Sequence, residues 1–217
     1  MSVEKLTFAE PFFTVLYVEK EEKFSVEPMS LVINLAHKAN QPLYVRDMPV
    51  APLKATVVAG VELTHVEKAL VFLDYAKLNL KDKTTTEKIK TNWRSLYQCS
   101  GQERHKGLPY YKSPKVRVGG DTEFNVCYVD AYNYPSGPHR EHDRNFDEVH
   151  AQILGMGMMQ KVESKEWEQD RKIKVYQEFI MAPGIIHDKF YNKKGEYPWH
   201  QYCSITPCVY LPIEIDR

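Results

Sequence analysis

The chain has 217 residues, 43% of them hydrophobic, with 29 basic and 29 acidic side chains and therefore no formal net charge. That length and apolar content allow one substantial core. The even charge balance excludes a general electrostatic pull toward nucleic acid or an anionic membrane, and leaves a small-molecule substrate as the expected partner.

No run reaches the length of a transmembrane helix, and the first residues lack the apolar centre of a signal peptide, so a cytoplasmic protein is expected, as a monomer or a homodimer. In chain order, residues 6–18, with Phe8, Phe12, Phe13, Val15, Leu16 and Tyr17, predict a strand, and the charged run 19–23 predicts the turn that ends it. Leu31, Val32, Leu35 and Ala36 have helical spacing and predict a short helix over 30–38, closed by Asn40 and Pro42. Residues 56–60 predict a strand. Thr64 and Glu67 have the form of a capping box, yet Leu70 to Leu73 read equally as a buried strand, which a barrel needs. A second capping box, Thr84 to Glu87, precedes Ile89, Trp93, Leu96 and Tyr97 and predicts a helix over 86–98. Residues 100–120 are rich in Gly, Pro, Lys and Tyr and predict a long loop, with Tyr110, Tyr111 and Lys112 placed to cover a pocket.

Beyond Gly120 the pattern turns to β. Phe124, Val126 and Tyr128 alternate, residues 149–159, 174–181 and 202–215 predict further strands, and the polar stretch 163–171 predicts a hairpin turn. A single domain over 1–217 follows, mostly β with a few helices in its first half, in which 1–119 packs on an antiparallel β-barrel core of 120–217. Cys99, Cys127, Cys203 and Cys208 have no zinc-finger spacing and are expected to be free thiols.

Two segments carry the candidate chemistry. The first, Pro135 to Gly157, holds His139, Glu141, His142, Glu148 and His150; the second, Phe179 to Asn192, holds Pro183, Gly184 and His187. Neutral imidazoles and a carboxylate are the side chains that hold a first-row divalent metal, and rigid backbone must bring them together. If Glu148 faces inward on a strand, His150 and Gln152 face the same way, so His150 is either a rival ligand or the group that orients Glu148. Tyr128, Gln160 and His200 are within reach of the same pocket; Tyr128, His150 and Gln160 are the candidate catalytic groups, while His200 reads as ordinary packing.

These segments resemble the two metal-binding motifs of the cupin superfamily, whose barrels are of the RmlC-like, double-stranded β-helix type. Glu148 and Gly155 keep the spacing of the first motif, and Pro183, Gly184, His187 and Asn192 resemble the second. The resemblance covers about sixty residues. It departs from the family in placing two residues, rather than one, between His139 and His142, so that the pair converges only at a bulge or ahead of a strand. The resemblance implies a divalent metal held by His139, His142, Glu148 and His187, with Fe(II) first and Zn, Ni or Mn as alternatives. It also implies a dioxygenase acting on a small organic substrate, an isomerase or lyase for a sugar or hydroxy acid, or a non-catalytic binding protein. A different triad, His139, Glu141 and His187, resembles that of 2-oxoglutarate oxygenases, although only Lys193 and Lys194 stand where the co-substrate's cationic partner belongs.

Overall fold

The structure is a computed structural model that describes residues 2–100, 107–140, 145–163, 175–189 and 197–217, with backbone alone at 99 and 100. The first part of the chain forms β1 (Ser2–Leu6), β2 (Thr14–Val26), β3 (Ser30–Asn34), β4 (Leu43–Val45), β5 (Met48–Val50), β6 (Ala55–Val58) and β7 (Val61–Leu73). A connecting region follows with α1 (Lys83–Asn92), β8 (Arg94–Ser95) and α2 (Leu96–Ser100). Then come β9 (Tyr110–Lys112), β10 (Val116–Val118), β11 (Thr122–Phe124), β12 (Cys127–Val129), β13 (Tyr134–Pro135) and β14 (Phe146–Leu154). The chain closes with β15 (Gly157–Val162), β16 (Val175–Met181), β17 (His200–Ser204) and β18 (Cys208–Asp216). The mostly β, antiparallel fold expected from the sequence is present.

The strands form three sheets. The first has the order β1-β2-β7-β3-β6, with the β4–β5 hairpin attached to β7. In the second, β18 takes β14 along one edge and β11 and β12 along the other, and β10, β9 and β8 extend it. The third has the order β13-β17-β15-β16. The two-residue period of β18 shows how they stack: Val209, Leu211, Ile213 and Ile215 join a core shared with Val15, Leu31 and Phe72 of the first sheet. Cys208 and Tyr210 join a second core with Met159, Met181 and Tyr202 of the third. The second sheet is therefore the middle layer, packed against the first sheet through one face and the third through the other. A further cluster, including Val18, Val32, Leu63 and Val71, lies on the outer side of the first sheet beneath Leu43 of the hairpin.

Four local expectations are corrected. The helix expected over 30–38 is strand β3, because Leu31 and Ile33 enter one core while Val32 enters the other; a strand buried on both faces shows a continuous apolar run that mimics helical spacing. The charged run 19–23 does not end a strand but continues β2, which pairs with β7 as far as Val26. The helix expected over 86–98 begins earlier, where Asp82 accepts the backbone N–H groups of Thr84 and Thr85 at 3.1 Å each. It stops at Trp93, whose backbone is extended, before the short α2. The supposed loop 100–120 carries β9 and β10, and Tyr110 is a core residue rather than a lid, 1% exposed with its hydroxyl donating to the Tyr134 carbonyl at 2.7 Å. The polar turn expected over 163–171 falls, after its first residue, outside the described residues.

Gly157 fixes the spacing of the second core. A Cβ there would lie 1.8 Å from the Tyr202 hydroxyl, which is buried and hydrogen-bonded to Gln152 at 2.7 Å. Gly157→Ala must push Tyr202 off that partner, and the expected loss is roughly 2–4 kcal/mol in urea unfolding; a variant within about 0.5 kcal/mol of wild type would contradict this packing. Cys127, Cys203 and Cys208 are buried free thiols, and all four cysteines should react with a thiol reagent once the protein is denatured without reductant.

Candidate metal centre

Strand β14 sets the site. Its odd residues Val149, Ala151 and Ile153 enter the first core. Glu148, His150 and Gln152 consequently face the third sheet, as the two-residue period requires. From that sheet His200 and Tyr202 point back, because β17 alternates in the same way. His139, just after β13, is held against His200 by two backbone hydrogen bonds of 2.9 and 3.0 Å. The result is a cluster in which His139, Glu148 and His200 bring one ligand atom each to within 4.8 Å of one another. Glu148 Oε2 is 3.5 Å from His200 Nε2, and Glu148 Oε1 is 3.8 Å from His150 Nε2.

The hydrogen bonds decide which nitrogen each ring presents. His200 Nδ1 donates to the Pro198 carbonyl at 2.9 Å and His139 Nδ1 to the Gly137 carbonyl at 3.3 Å. A carbonyl can only accept, so in the neutral rings Nε2 keeps its lone pair. His187 Nδ1 donates to the Asp188 carbonyl at 2.7 Å, which leaves its Nε2 to accept from the His150 backbone N–H at 2.9 Å and from His150 Nδ1 at 3.0 Å. His150 thus also presents a lone pair at Nε2, on the side of Glu148. A backbone carbonyl or another ring behind each imidazole is the arrangement that orients metal-binding histidines.

Burial opposes the charge of Glu148, but His150, followed by His200 and His139, holds its carboxyl well below the usual range. Burial, reinforced by His150, pushes the His187 imidazole down from 6.5 to about 3, so it is neutral. Tyr197 donates to the Glu148 carbonyl at 2.8 Å and sets its ring edge-on to His200, fixing both elements. Imidazoles and one buried carboxylate are the donor types that suit a first-row divalent metal.

The sequence-derived residues are distributed as follows. His139 and Glu148 come together, while Glu141, His142 and Asn192 lie outside the described residues. His187 does not join the cluster. The Pro183–Gly184 turn is bonded to β14 through Gly184 N–H to the Gln152 carbonyl and Gln152 N–H to the Ile185 carbonyl, a register that sets His187 behind His150. It also separates His187 from His139 in the alternative triad. Tyr128 lies on the far face of the middle sheet, its hydroxyl on Asp130 at 2.8 Å and its ring stacked on Tyr111. Gln160 points to the outer face of β15, bonded to Glu178 and Gln201. His200, read from the sequence as ordinary packing, joins the cluster; its signal is the alternation running back from Tyr202. Surface hollows of about 700 and 650 Å³ lie on the first sheet and contain none of these residues.

No protein-family model matches the chain, and no curated protein matches it. Several solved structures do. They include a cupin superfamily protein from Desulfitobacterium hafniense, at 7% identity over 57% of this chain and 90% of that one, with a TM-score of 0.34. A sugar phosphate isomerase of the cupin superfamily from Silicibacter pomeroyi matches at 17% identity over 50% and 60% of the two chains, with a TM-score of 0.33. A recombinant oxalate oxidase in complex with glycolate matches at 10% identity over 53% and 54%, with a TM-score of 0.35. The first two are described as cupin superfamily proteins. At such identities and scores they carry nothing about the activity of this chain, which rests on its own geometry. Among the described residues no helix is long and apolar enough to cross a membrane.

Proposed function

We propose that this protein is a metal-dependent enzyme of the cupin type that acts on a small organic substrate, with oxidation by an Fe(II) dioxygenase as the reaction. The observation that carries the proposal is the convergence of His139, Glu148 and His200, two imidazoles and one carboxylate within 4.8 Å. Two histidines and a carboxylate that leave positions open are the donor set of non-haem Fe(II) oxygenases. Bound there, iron supplies one-electron chemistry and a place for substrate and dioxygen. The chain's own residues do the rest: His139, Glu148 and His200 hold the ion, His150 adds a third nitrogen, and His187 fixes the His150 ring. The stacked pair Tyr202 and Tyr210, 3.9 Å apart, closes the inner end against water.

The test is to strip the protein, reload it with Fe(II) or Zn(II), and assay small organic acids and sugars with and without oxygen. Turnover is expected only with iron and only in oxygen. Turnover by the zinc form under nitrogen would overturn the dioxygenase assignment in favour of isomerisation or elimination, which asks the ion only to polarise a carbonyl or hydroxyl. Tight ligand binding without turnover in any form would point to a binding protein.

A further inference from the structure

We infer that Arg94 and Lys112, opposed on neighbouring strands of the middle sheet, form a binding site for the phosphate group of a small molecule, separate from the metal centre. Lys112 is on β9, three strands from β14, so at about 4.8 Å per strand it stands about 14 Å from the strand that carries Glu148. The site therefore does not depend on the metal-centre reading.

Register places the pair. Arg94 of β8 is directly opposite Lys112 of β9, and Lys112 is directly opposite Cys127 of β12. Directly opposed residues share a face, and Cys127 belongs to the second core, so all three stand on the side of the middle sheet that faces the third. The Cβ atoms of such a pair are about 5 Å apart, which lets side chains as long as Arg and Lys reach one oxyanion between them. Lys112 is half-buried and Arg94 is exposed, so the row opens to solvent at the Arg94 end.

Like charges directly opposite one another weaken strand pairing. Elsewhere around this sheet cations are compensated. Lys115 is bound to Glu214 at 2.7 and 2.8 Å, Arg117 to Glu123 and Asp216 at 2.8 and 2.7 Å, and Lys90 of α1 to Glu87 and Asp130 at 2.8 and 2.5 Å. Among the described residues, the side chains of Arg94 and Lys112 have no hydrogen-bond or ion-pair partner. Two opposed charges without a carboxylate match a dianion. A phosphate group carries that charge and offers oxygens to the planar fork of Arg94 on one side and to the compact ammonium of Lys112 on the other. A single carboxylate would neutralise only one of the two.

The experiment is calorimetric titration of the full chain, stripped of metal with a chelator so that the metal centre takes no part, at pH 8, where inorganic phosphate is a dianion. The probes are inorganic phosphate, methyl phosphate and acetate. Wild type should bind one phosphate saturably, more weakly as salt is added, and acetate at least about tenfold less tightly. Tighter binding of methyl phosphate than of phosphate would assign the site to a phosphate monoester. Lys112→Gln and Arg94→Gln should each lose roughly tenfold or more in phosphate affinity, Arg94→Lys should keep most of it, and Lys38→Gln, an exposed cation elsewhere, should change nothing. Without phosphate, Lys112→Gln and Arg94→Gln should unfold at no lower urea concentration than wild type, because each relieves the repulsion. Absence of saturable phosphate binding in wild type, unchanged affinity in Lys112→Gln, or an equal loss in Lys38→Gln would overturn the inference.

Discussion

His200→Ala is expected to weaken binding of a first-row divalent metal by roughly a thousandfold, and His187→Ala by only about tenfold, in competition with a chromophoric chelator. The ranking follows from position. His200 is fully buried, its Nδ1 is committed to the Pro198 carbonyl, and its Nε2 lies 3.5 Å from Glu148, so removing the ring deletes a ligand and one of the groups that compensate the Glu148 charge. His187 Nε2 is bonded to His150, and its loss frees the His150 ring to turn without removing it. Glu148→Gln should fall with His200→Ala, since it keeps size but removes the charge. Equal losses in His187→Ala and His200→Ala would mean that the Pro183–Gly184 turn delivers a ligand after all.

The metal-free protein should lose stability as pH falls from about 6.5, and His187 should be the main cause above pH 4. Its folded pKa is depressed from 6.5 to about 3, chiefly by burial, so the unfolded chain takes a proton that the native state refuses. The stability is complete above the unfolded pKa and is lost as pH falls toward the folded one. The cost is roughly 2 kcal/mol by pH 5 and up to roughly 4 kcal/mol near pH 3. Asp147 acts in a separate window. Burial opposes its charge, but Lys189 and Arg217, each at 2.6 Å, hold its carboxyl below the usual range, so that its contribution is lost only below about pH 4. Urea unfolding at pH 7 and pH 5 checks the sign: His187→Asn should flatten the difference between the two, and an unchanged difference in that variant would contradict the assignment.

The legible parts of the sequence were those with a single period. On β14 the alternation of Val149, Ala151 and Ile153 with Glu148, His150 and Gln152 identified both faces, because one meets an apolar core and the other a polar gap. The mostly β character after Gly120 was legible for the same reason. Strand β3 was not, since its residues are apolar toward both neighbouring layers and periodicity vanishes where both faces are buried. The position of His187 was not legible because a turn motif is local, whereas the register that carries His187 behind His150 depends on pairing with a strand more than thirty residues earlier. Tyr128 and Gln160 each sit on a strand whose parity turns them away from the cluster, and parity across separate strands is set by pairing rather than by local spacing.

The most direct measurement is anomalous diffraction at the metal edge from a crystal of the metal-loaded protein. The expected result is one strong peak bounded by His139, Glu148 and His200, with His150 beside it and His187 out of contact. A peak coordinated by His187, or no peak at this cluster in protein loaded with iron, zinc, nickel or manganese, would contradict it.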